Sequence, residues 1–210
     1  MQEINIDDWP RKSHFQFFAQ ADYPHYNICF DIDITDLLSF TRKSGAPFYF
    51  TTIHLAAKTA NEIEAFRYRR RGEKVVLHET ITPSFTYMNS DDDLFKMITV
   101  EYKSDLNDFI AQANARVLKQ TDYFDASDFV SRDDFVYITS IPWISFTHVS
   151  HTFSLNKDDS VPRISWGKFY QSAERTMLPF SVQASHCFVD GIHIGQYKER
   201  FEKNIIEIGS

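Results

Sequence analysis

The sequence predicts an α/β fold, a two-layer sandwich in which helices pack on one face of a mixed β-sheet. Strand-like and helix-like segments alternate along the chain without a low-complexity linker or a repeat. Strands outnumber the helices that could connect parallel neighbours, which favours a mixed sheet. The chain has 210 residues, 43% hydrophobic and 16% aromatic, enough for one well-filled core, so we expect a single domain over residues 1–210.

The first half of the chain begins this alternation. Residues 28–34 alternate as a half-buried strand, and Thr35 with Asp36 is expected to cap a helix that continues through Phe40. Apolar residues of 48–63 recur at helical spacing with alanines on one face, which predicts a buried helix. Further strands are predicted at 74–77, 84–88 and 95–102.

The second half continues the pattern. Residues 105–120 form the clearest amphipathic helix, with one apolar stripe and a charged side expected to face solvent. The long β-rich run 135–146 and the shorter run 163–169 predict two strands. Residues 178–184 predict another strand, and a closing helix is expected from about 191 to 206.

Charge and composition exclude several classes of function. The formal net charge of -7 argues against a nucleic-acid surface, which needs concentrated Lys and Arg. One basic cluster occurs, at residues 67–74. We interpret it as a solvated hairpin tip that turns at Gly72, with an anion-binding site as the alternative.

The cysteines, the first residues and the short apolar runs predict a protein that is not exported. Cys29 and Cys187 lie in apolar contexts, in the pattern of neither a disulfide framework nor a paired metal motif. The acidic start has no leader pattern, and no apolar run approaches the roughly 18 residues that a membrane span needs. We therefore expect a cytoplasmic protein.

The most informative motif is the segment from Ser185 to Gly191, in which His186 is followed by Asp190 after a strand-like run. Neutral imidazole accepts a proton near pH 7, so His186 is a candidate general base. His186, Asp190 and His193 would form a metal site only on one continuous helix, which the preceding strand and Gly191 disfavour. We expect no metal.

Six segments, taken in order, resemble the chloramphenicol acetyltransferase family along nearly the whole chain: residues 9–15, 33–35, 83–86, 141–146, 178–183 and 186–193. The HxxxDG pattern alone marks a wider group of CoA-dependent acyltransferases. The resemblance implies a homotrimer with active sites at the subunit interfaces and acetyl-CoA as co-substrate. It also implies a hydroxylated small-molecule acceptor, chloramphenicol or a relative, and a link to antibiotic resistance.

The resemblance assigns the catalytic positions. His186 matches the family base, and Asp190 matches an aspartate that pairs with an N-terminal arginine, here Arg11. Ser165 matches a threonine that holds an ordered water near the tetrahedral intermediate. His148 stands where the family places the serine that donates to the oxyanion. An imidazole N–H can donate in its place, although the ring is bulkier.

The binding positions depart from the family in the acceptor pocket. Phe18 replaces a tyrosine that hydrogen-bonds the antibiotic, and Met97 replaces a small alanine, while Phe95 and Thr86 match other pocket positions. A lost polar anchor and a larger side chain both change which acceptor fits. For CoA, the matching residues are Lys168 near the phosphates, Phe169 on the adenine and Tyr49 in the tunnel; Pro47 replaces a family lysine.

Two hypotheses from different classes remain open. The first is an acetyl-CoA-dependent O-acetyltransferase that transfers acetyl directly within a ternary complex, with His186 as base. The second is a trimeric binding protein of the same fold in which His148 has abolished turnover. Within the enzyme class, a different alcohol or a thiol is the alternative acceptor.

Overall fold

A seven-stranded mixed sheet forms the centre of the described chain. The computed structural model describes residues 1–88, 93–152 and 155–209. The strands of this sheet are β2 (His25–Asp33), β5 (Thr82–Met88), β6 (Phe95–Thr99), β7 (Phe135–Ile141), β8 (Arg163–Gly167), β9 (Tyr170–Ser172) and β10 (Arg175–Ser185). Six of them follow the order β2-β10-β8-β7-β5-β6, and β9 pairs with the first three residues of β10. The parallel pairs are β5–β7 and β7–β8, and the other pairs are antiparallel.

A second, three-stranded sheet stands beside the first and was not predicted. It has the order β1-β4-β3, all antiparallel. Its strands are β1 (Gln2–Glu3), β3 (Tyr68–Arg71) and β4 (Lys74–Leu77). The five α-helices of the described residues are α1 (Lys12–Phe18), α2 (Thr35–Ser44), α3 (Phe48–Glu62), α4 (Leu106–Lys119) and α5 (Gly191–Gly209).

Strand β10 shows how one sheet separates two environments. Successive side chains point to opposite faces, so Phe180 faces the helices while Ser181 and Gln183 face away. The Phe180 ring lies 6.0 Å from Tyr197 and 5.2 Å from Phe201, both on α5. The apolar face therefore forms the main core, and the other face is polar. This arrangement confirms the predicted α/β sandwich with a mixed sheet.

The predicted helices were correct to within a few residues. Helix α4 begins where the Asp105 side chain accepts from the backbone N–H of Asp108, an N-cap interaction. Helix α2 begins at Thr35 after the N-cap residue Ile34, so Thr35 and Asp36 do not cap it as predicted. The Asp33 carboxylate, one residue before the N-cap, accepts from the Thr35 N–H at 3.0 Å. The seven-residue helix α1 was not predicted, because two turns give too short a periodic signal.

The predicted long strand over 135–146 is wrong in its second half. Strand β7 ends at Ile141, and a turn follows in which the Ile144 N–H donates to the Ile141 carbonyl at 3.3 Å. Pro142 has no N–H for a sheet ladder, so pairing stops there despite the apolar residues that follow. Residues 142–152 then cross the polar side of the sheet as an irregular segment.

The basic hairpin is present, but its interpretation as a solvated tip is wrong for two arginines. Gly72 turns the hairpin with φ +61°, as predicted. Arg69 is only 1% exposed and Arg70 8%. The Arg69 guanidinium donates to the backbone carbonyls of Phe66, Tyr68, Asp133 and Phe135. These carbonyls satisfy its donors, so the buried cation serves as a structural tie.

Close approach at Gly167 fixes the irregular segment after β7. The Lys168 N–H donates to the Ile144 carbonyl at 2.8 Å, and the Ser145 hydroxyl donates to the Lys168 carbonyl at 2.6 Å. A Cβ at Gly167 would lie 2.6 Å from the Ile144 oxygen and 3.0 Å from the Phe146 ring. Only glycine permits this backbone contact.

We therefore expect Gly167→Ala to lower the free energy of unfolding by about 2 kcal/mol, because backbone atoms must move apart. Gly195→Ala is the matched control: no atom lies within 4 Å of its added Cβ, on a helix. It should stabilise the protein by up to about 1 kcal/mol. Urea unfolding of both variants measures the difference, and equal effects at the two glycines would contradict the packing argument.

Candidate active site

Two aromatic rings hold the His186 imidazole. His186 directly follows β10, and its N–H donates to the Pro24 carbonyl at 2.8 Å. Its ring stacks on Phe18, with centroids 4.0 Å apart and planes 6° apart, and on Tyr26 at 4.5 Å and 28°. Two such stacks fit only on opposite faces of one imidazole. The ring is thus fixed in plane while its side chain stays about one-third exposed.

Arg11 ties the chain around His186 together. Its Nη1 and Nη2 donate to the two oxygens of Asp190 at 2.5 and 2.6 Å. Its Nε donates to the Cys187 carbonyl at 2.8 Å, and Nη2 also donates to the His186 carbonyl at 3.1 Å. The bidentate contact with Arg11 lowers the pKa of the Asp190 carboxyl below its usual value.

The imidazole and the carboxylate are close but poorly aligned. His186 Nδ1 lies 3.0 Å from Asp190 Oδ1. This nitrogen is nevertheless buried and makes no well-directed hydrogen bond to any described residue. Asp190 is already committed to Arg11. Stacking and the Arg11 contacts, rather than a strong His–Asp hydrogen bond, therefore orient the base candidate, and Nε2 is the nitrogen left to reach a ligand.

Phe18, which the sequence predicts as an acceptor-pocket residue, lies against the His186 ring. Tyr26, which the sequence analysis did not identify, occupies the opposite face of the imidazole. Burial raises the pKa of Tyr26 to about 12. Its hydroxyl is buried and has no hydrogen-bond partner within the described ranges. Only the three-dimensional packing indicates this role, because β2 brings Tyr26 to the end of β10.

A cavity of about 850 Å³ lies elsewhere on the chain. This volume is within the range of about 300–1,000 Å³ for small-molecule sites. It is lined mainly by apolar and aromatic side chains. Six predicted binding residues line it together: Tyr49, Thr86, Phe95, Met97, Lys168 and Phe169.

The side chains that line the cavity are buried on its inner side and exposed at its opening. The Tyr49 hydroxyl donates to the Thr86 carbonyl, and burial raises the pKa of this phenol well above its usual value. Phe169 is 43% exposed and lies 6.1 Å from the Phe48 ring. Lys168 is exposed beside it and forms no ion pair within the described part of the chain. A free cation and two aromatic rings at a cavity mouth suit a nucleotide phosphate and base.

His186 does not line this cavity. The predicted residues therefore separate into two groups: His186, Asp190, Arg11 and Phe18 on one surface, and the six cavity residues on another. A single chain does not bring the base candidate to the binding cavity.

The remaining predicted residues, Ser165 and His148, differ in exposure. Ser165 is fully buried, and its hydroxyl is 2.7 Å from Nε2 of His151. His151 lines the cavity, whereas Ser165 does not. His148 is exposed, three residues earlier on the irregular segment. No partner pattern for His151 is visible in the sequence, because its pair with Ser165 depends on how this segment folds back over the sheet.

No group of three His, Cys, Asp or Glu side chains suited to a metal occurs among the described residues. His193, a member of the alternative metal set, instead accepts from the Asp190 N–H through Nδ1 at 2.8 Å, at the start of α5. The described helices include none with the length and apolar composition to span a membrane.

Comparison with known proteins identifies the class. The family model "Chloramphenicol acetyltransferase" matches residues 1–202. Chloramphenicol acetyltransferase 3 of Escherichia coli is 24% identical over 204 residues, covering 96% of this chain and 95% of the relative. The Clostridium perfringens chloramphenicol acetyltransferase is 28% identical over 200 residues, covering 92% and 90%. A solved chloramphenicol acetyltransferase superposes with a TM-score of 0.89 at 23% identity, covering 96% of this chain and 98% of that one.

The fold and the family match together define an acyltransferase. The chain belongs to the chloramphenicol acetyltransferase family. The resemblance and the enzyme class predicted from the sequence are thus confirmed.

The Arg11–Asp190 contact predicts a large cost for a conservative change. Arg11→Lys should lower the free energy of unfolding by about 2–3 kcal/mol, since one ammonium cannot replace a bidentate fork and two carbonyl contacts. Lys12→Ala, which removes the exposed pair with Asp7, is the control and should change the stability far less, because solvent screens that pair. Chemical denaturation compares the two; similar small losses would contradict the tie assigned to Arg11.

The burial of His25 predicts that the protein becomes less stable at acidic pH. His25 pairs in register with Ser185 beside His186, and burial lowers its pKa to about 4. Both ring nitrogens lack a hydrogen-bond partner within the described ranges. The folded pKa is below the unfolded value of about 6.5, so the unfolded chain takes up more protons between these values. Stability should fall as pH drops from about 6.5 to 4, by up to about 3 kcal/mol.

The measurement is unfolding at pH 7 and pH 4.5 for the wild type and His25→Phe, which keeps a ring against Tyr23. Other groups contribute to the total acid loss, so the difference between the two proteins isolates His25. The variant should lose clearly less stability than the wild type on acidification. Parallel losses would show that His25 accepts a proton without penalty.

Proposed function

We propose that this protein is an acetyl-CoA-dependent O-acetyltransferase that acetylates a hydroxyl of chloramphenicol or a related small molecule. The observation that carries the proposal is the fixed His186 imidazole, held by two rings and by the segment that Arg11 ties. Relatives named chloramphenicol acetyltransferases match over more than nine-tenths of the chain.

The chemistry requires a base because an alcohol is a weak nucleophile near neutral pH. In the proposed step, His186 Nε2 takes the hydroxyl proton while the acceptor oxygen attacks the thioester carbonyl carbon. The C=O electrons move onto oxygen to give a tetrahedral oxyanion. As the carbonyl re-forms, the C–S bond breaks, and the imidazolium returns its proton to the CoA thiolate.

Arg11 and Asp190 support this step without relaying a proton. The Asp190 carboxylate stays ionised because Arg11 lowers its pKa. Its negative charge, 3.0 Å from His186 Nδ1, favours the imidazolium that forms during attack. The oxyanion donor role predicted for His148, and the water-holding role predicted for Ser165, remain predictions.

Acetyl-CoA would enter the 850 Å³ cavity. Lys168 supplies a cation for the phosphates, Phe169 an aromatic surface for adenine, and Tyr49 part of the tunnel wall. Thr86, Phe95 and Met97 would contact the acceptor. Met97 in place of a small alanine and Phe18 in place of a tyrosine change the shape and polarity available to the acceptor, so a related alcohol or a thiol is the alternative to chloramphenicol.

A second copy of the chain would complete each active site. His186 stands apart from the cavity on one chain, so a homotrimer that brings His186 of one copy to the cavity of the next would unite them. Large apolar side chains on the irregular segment support such an interface: Trp143 is 65% exposed and Ile144 60%. Residues 1–210 would act as one domain in the cytoplasm, and in a host exposed to chloramphenicol the activity would confer resistance.

Thiol release from acetyl-CoA tests the proposal. Wild type, His186→Ala and the control His14→Ala are assayed with and without chloramphenicol; His14 is exposed on α1. Release should depend on the acceptor and fall at least 10²-fold in His186→Ala, because the base is lost. His14→Ala should keep the wild-type rate.

The other outcomes separate the alternatives. Tight acceptor binding without thiol release, across a series of alcohols and thiols, would support the binding protein without turnover. Release that favours another acceptor would keep the mechanism and change the substrate. Release unaffected by His186→Ala would refute His186 as the base.

A further inference from the structure

One wall of the cavity carries hydrogen-bonding groups, whereas most of the lining is apolar or aromatic. His151 and Arg163 both line it. The Arg163 guanidinium is held by Asp159, with Nη2 to Oδ2 at 2.6 Å, and by the Val161 carbonyl at 3.2 Å. Its Cζ also lies 5.9 Å from the Tyr137 ring centroid. This wall therefore offers donors, with the Arg163 charge largely balanced by Asp159.

A hydrogen-bond chain fixes the His151 backbone. The His151 N–H donates to Gln183 Oε1 at 3.2 Å, and Gln183 Nε2 donates to the Tyr23 hydroxyl at 2.9 Å. Gln183 is only 1% exposed. Nearby, Asn27 Nδ2 donates to the Val149 carbonyl at 2.8 Å. The irregular segment is thus attached to the polar face of the sheet on both sides of Ser150, and His151 has a defined position.

Ser165 fixes the tautomer of the His151 ring. The Ser165 hydroxyl is fully buried, and among the described residues its partner is His151 Nε2 at 2.7 Å. Burial lowers the pKa of His151, so the imidazole is neutral at pH 7. A buried hydroxyl proton needs an acceptor, and Nε2 provides it. The ring proton then resides on Nδ1, which becomes a donor.

We propose that His151 is a specificity-determining residue whose Nδ1–H donates a hydrogen bond to an oxygen atom of the acceptor bound in the cavity. The substrate class is an alcohol that carries a second, hydrogen-bond-accepting oxygen besides the hydroxyl that is acetylated. A site built to hydrogen-bond such an oxygen discriminates against analogues that lack it. The inference rests on the proposed function and deepens it.

The test compares two alcohols, chloramphenicol and 3-phenyl-1-propanol, which has no second oxygen. Wild type should favour chloramphenicol by at least tenfold in KM, and in Kd measured by calorimetry. His151→Phe, which keeps a ring but removes the donor, should abolish this preference while kcat changes less than twofold. His151→Asn, which keeps a side-chain N–H donor, should restore part of it. Ser165→Ala should give an intermediate loss, since it frees the tautomer.

Several results would overturn the inference. One is a wild type that binds both alcohols equally, and another is a His151→Phe variant that weakens both alcohols by the same factor. A fall in kcat with unchanged KM would assign His151 to the chemistry rather than to recognition. Because calorimetry reports binding without turnover, the preference is measured even when thiol release is absent, so failure of this inference and failure of the acetyltransferase proposal are distinguishable.

Discussion

The contact between Arg11 and Asp190 is the interaction on which the site depends. The Arg11 guanidinium contacts three groups between β10 and α5: the His186 carbonyl, the Cys187 carbonyl and the Asp190 carboxylate. These groups lie in the turn that connects β10 to α5. Without this tie, the turn would retain β10 on one side and α5 on the other, and the His186 backbone would keep the bond from its N–H to the Pro24 carbonyl. Stacking then sets the ring, as Phe18 and Tyr26 restrict its plane.

The second constraint is that the two faces of the sheet have different roles. Phe180 and its neighbours bury the apolar face under the helices, which secures the fold. The polar face instead binds the irregular segment through Asn27, Gln183 and Ser165. Side chains that contribute little to the hydrophobic core thereby determine where His148 and His151 lie. The base candidate and the cavity occupy different surfaces, and this separation makes assembly part of the proposed mechanism.

The sequence predicted what depends on local pattern. Helices α3 and α4 followed from their spacing, and the strand leading to His186 from its apolar run. Features that depend on distant backbone atoms could not be predicted: Arg69 is buried because four carbonyls from two parts of the chain converge on it. The same holds for His151 with Ser165, and for Phe18 against His186, where an irregular segment or a short helix sets the contact. The pairing of Arg11 with Asp190 came from family resemblance, since 179 residues separate them.

The central claim is that the His186 of one copy acts on substrates held in the cavity of another. Subunit complementation tests it most directly. His186→Ala, which lacks the base, and Thr86→Trp, which fills the cavity, are each inactive by this account, and equal amounts are unfolded together and refolded. Random assembly should pair an intact His186 with an intact cavity at about a quarter of the sites, and activity should return to that extent. If the mixture is folded and oligomeric but no more active than either variant alone, each site lies within one chain and the account is contradicted.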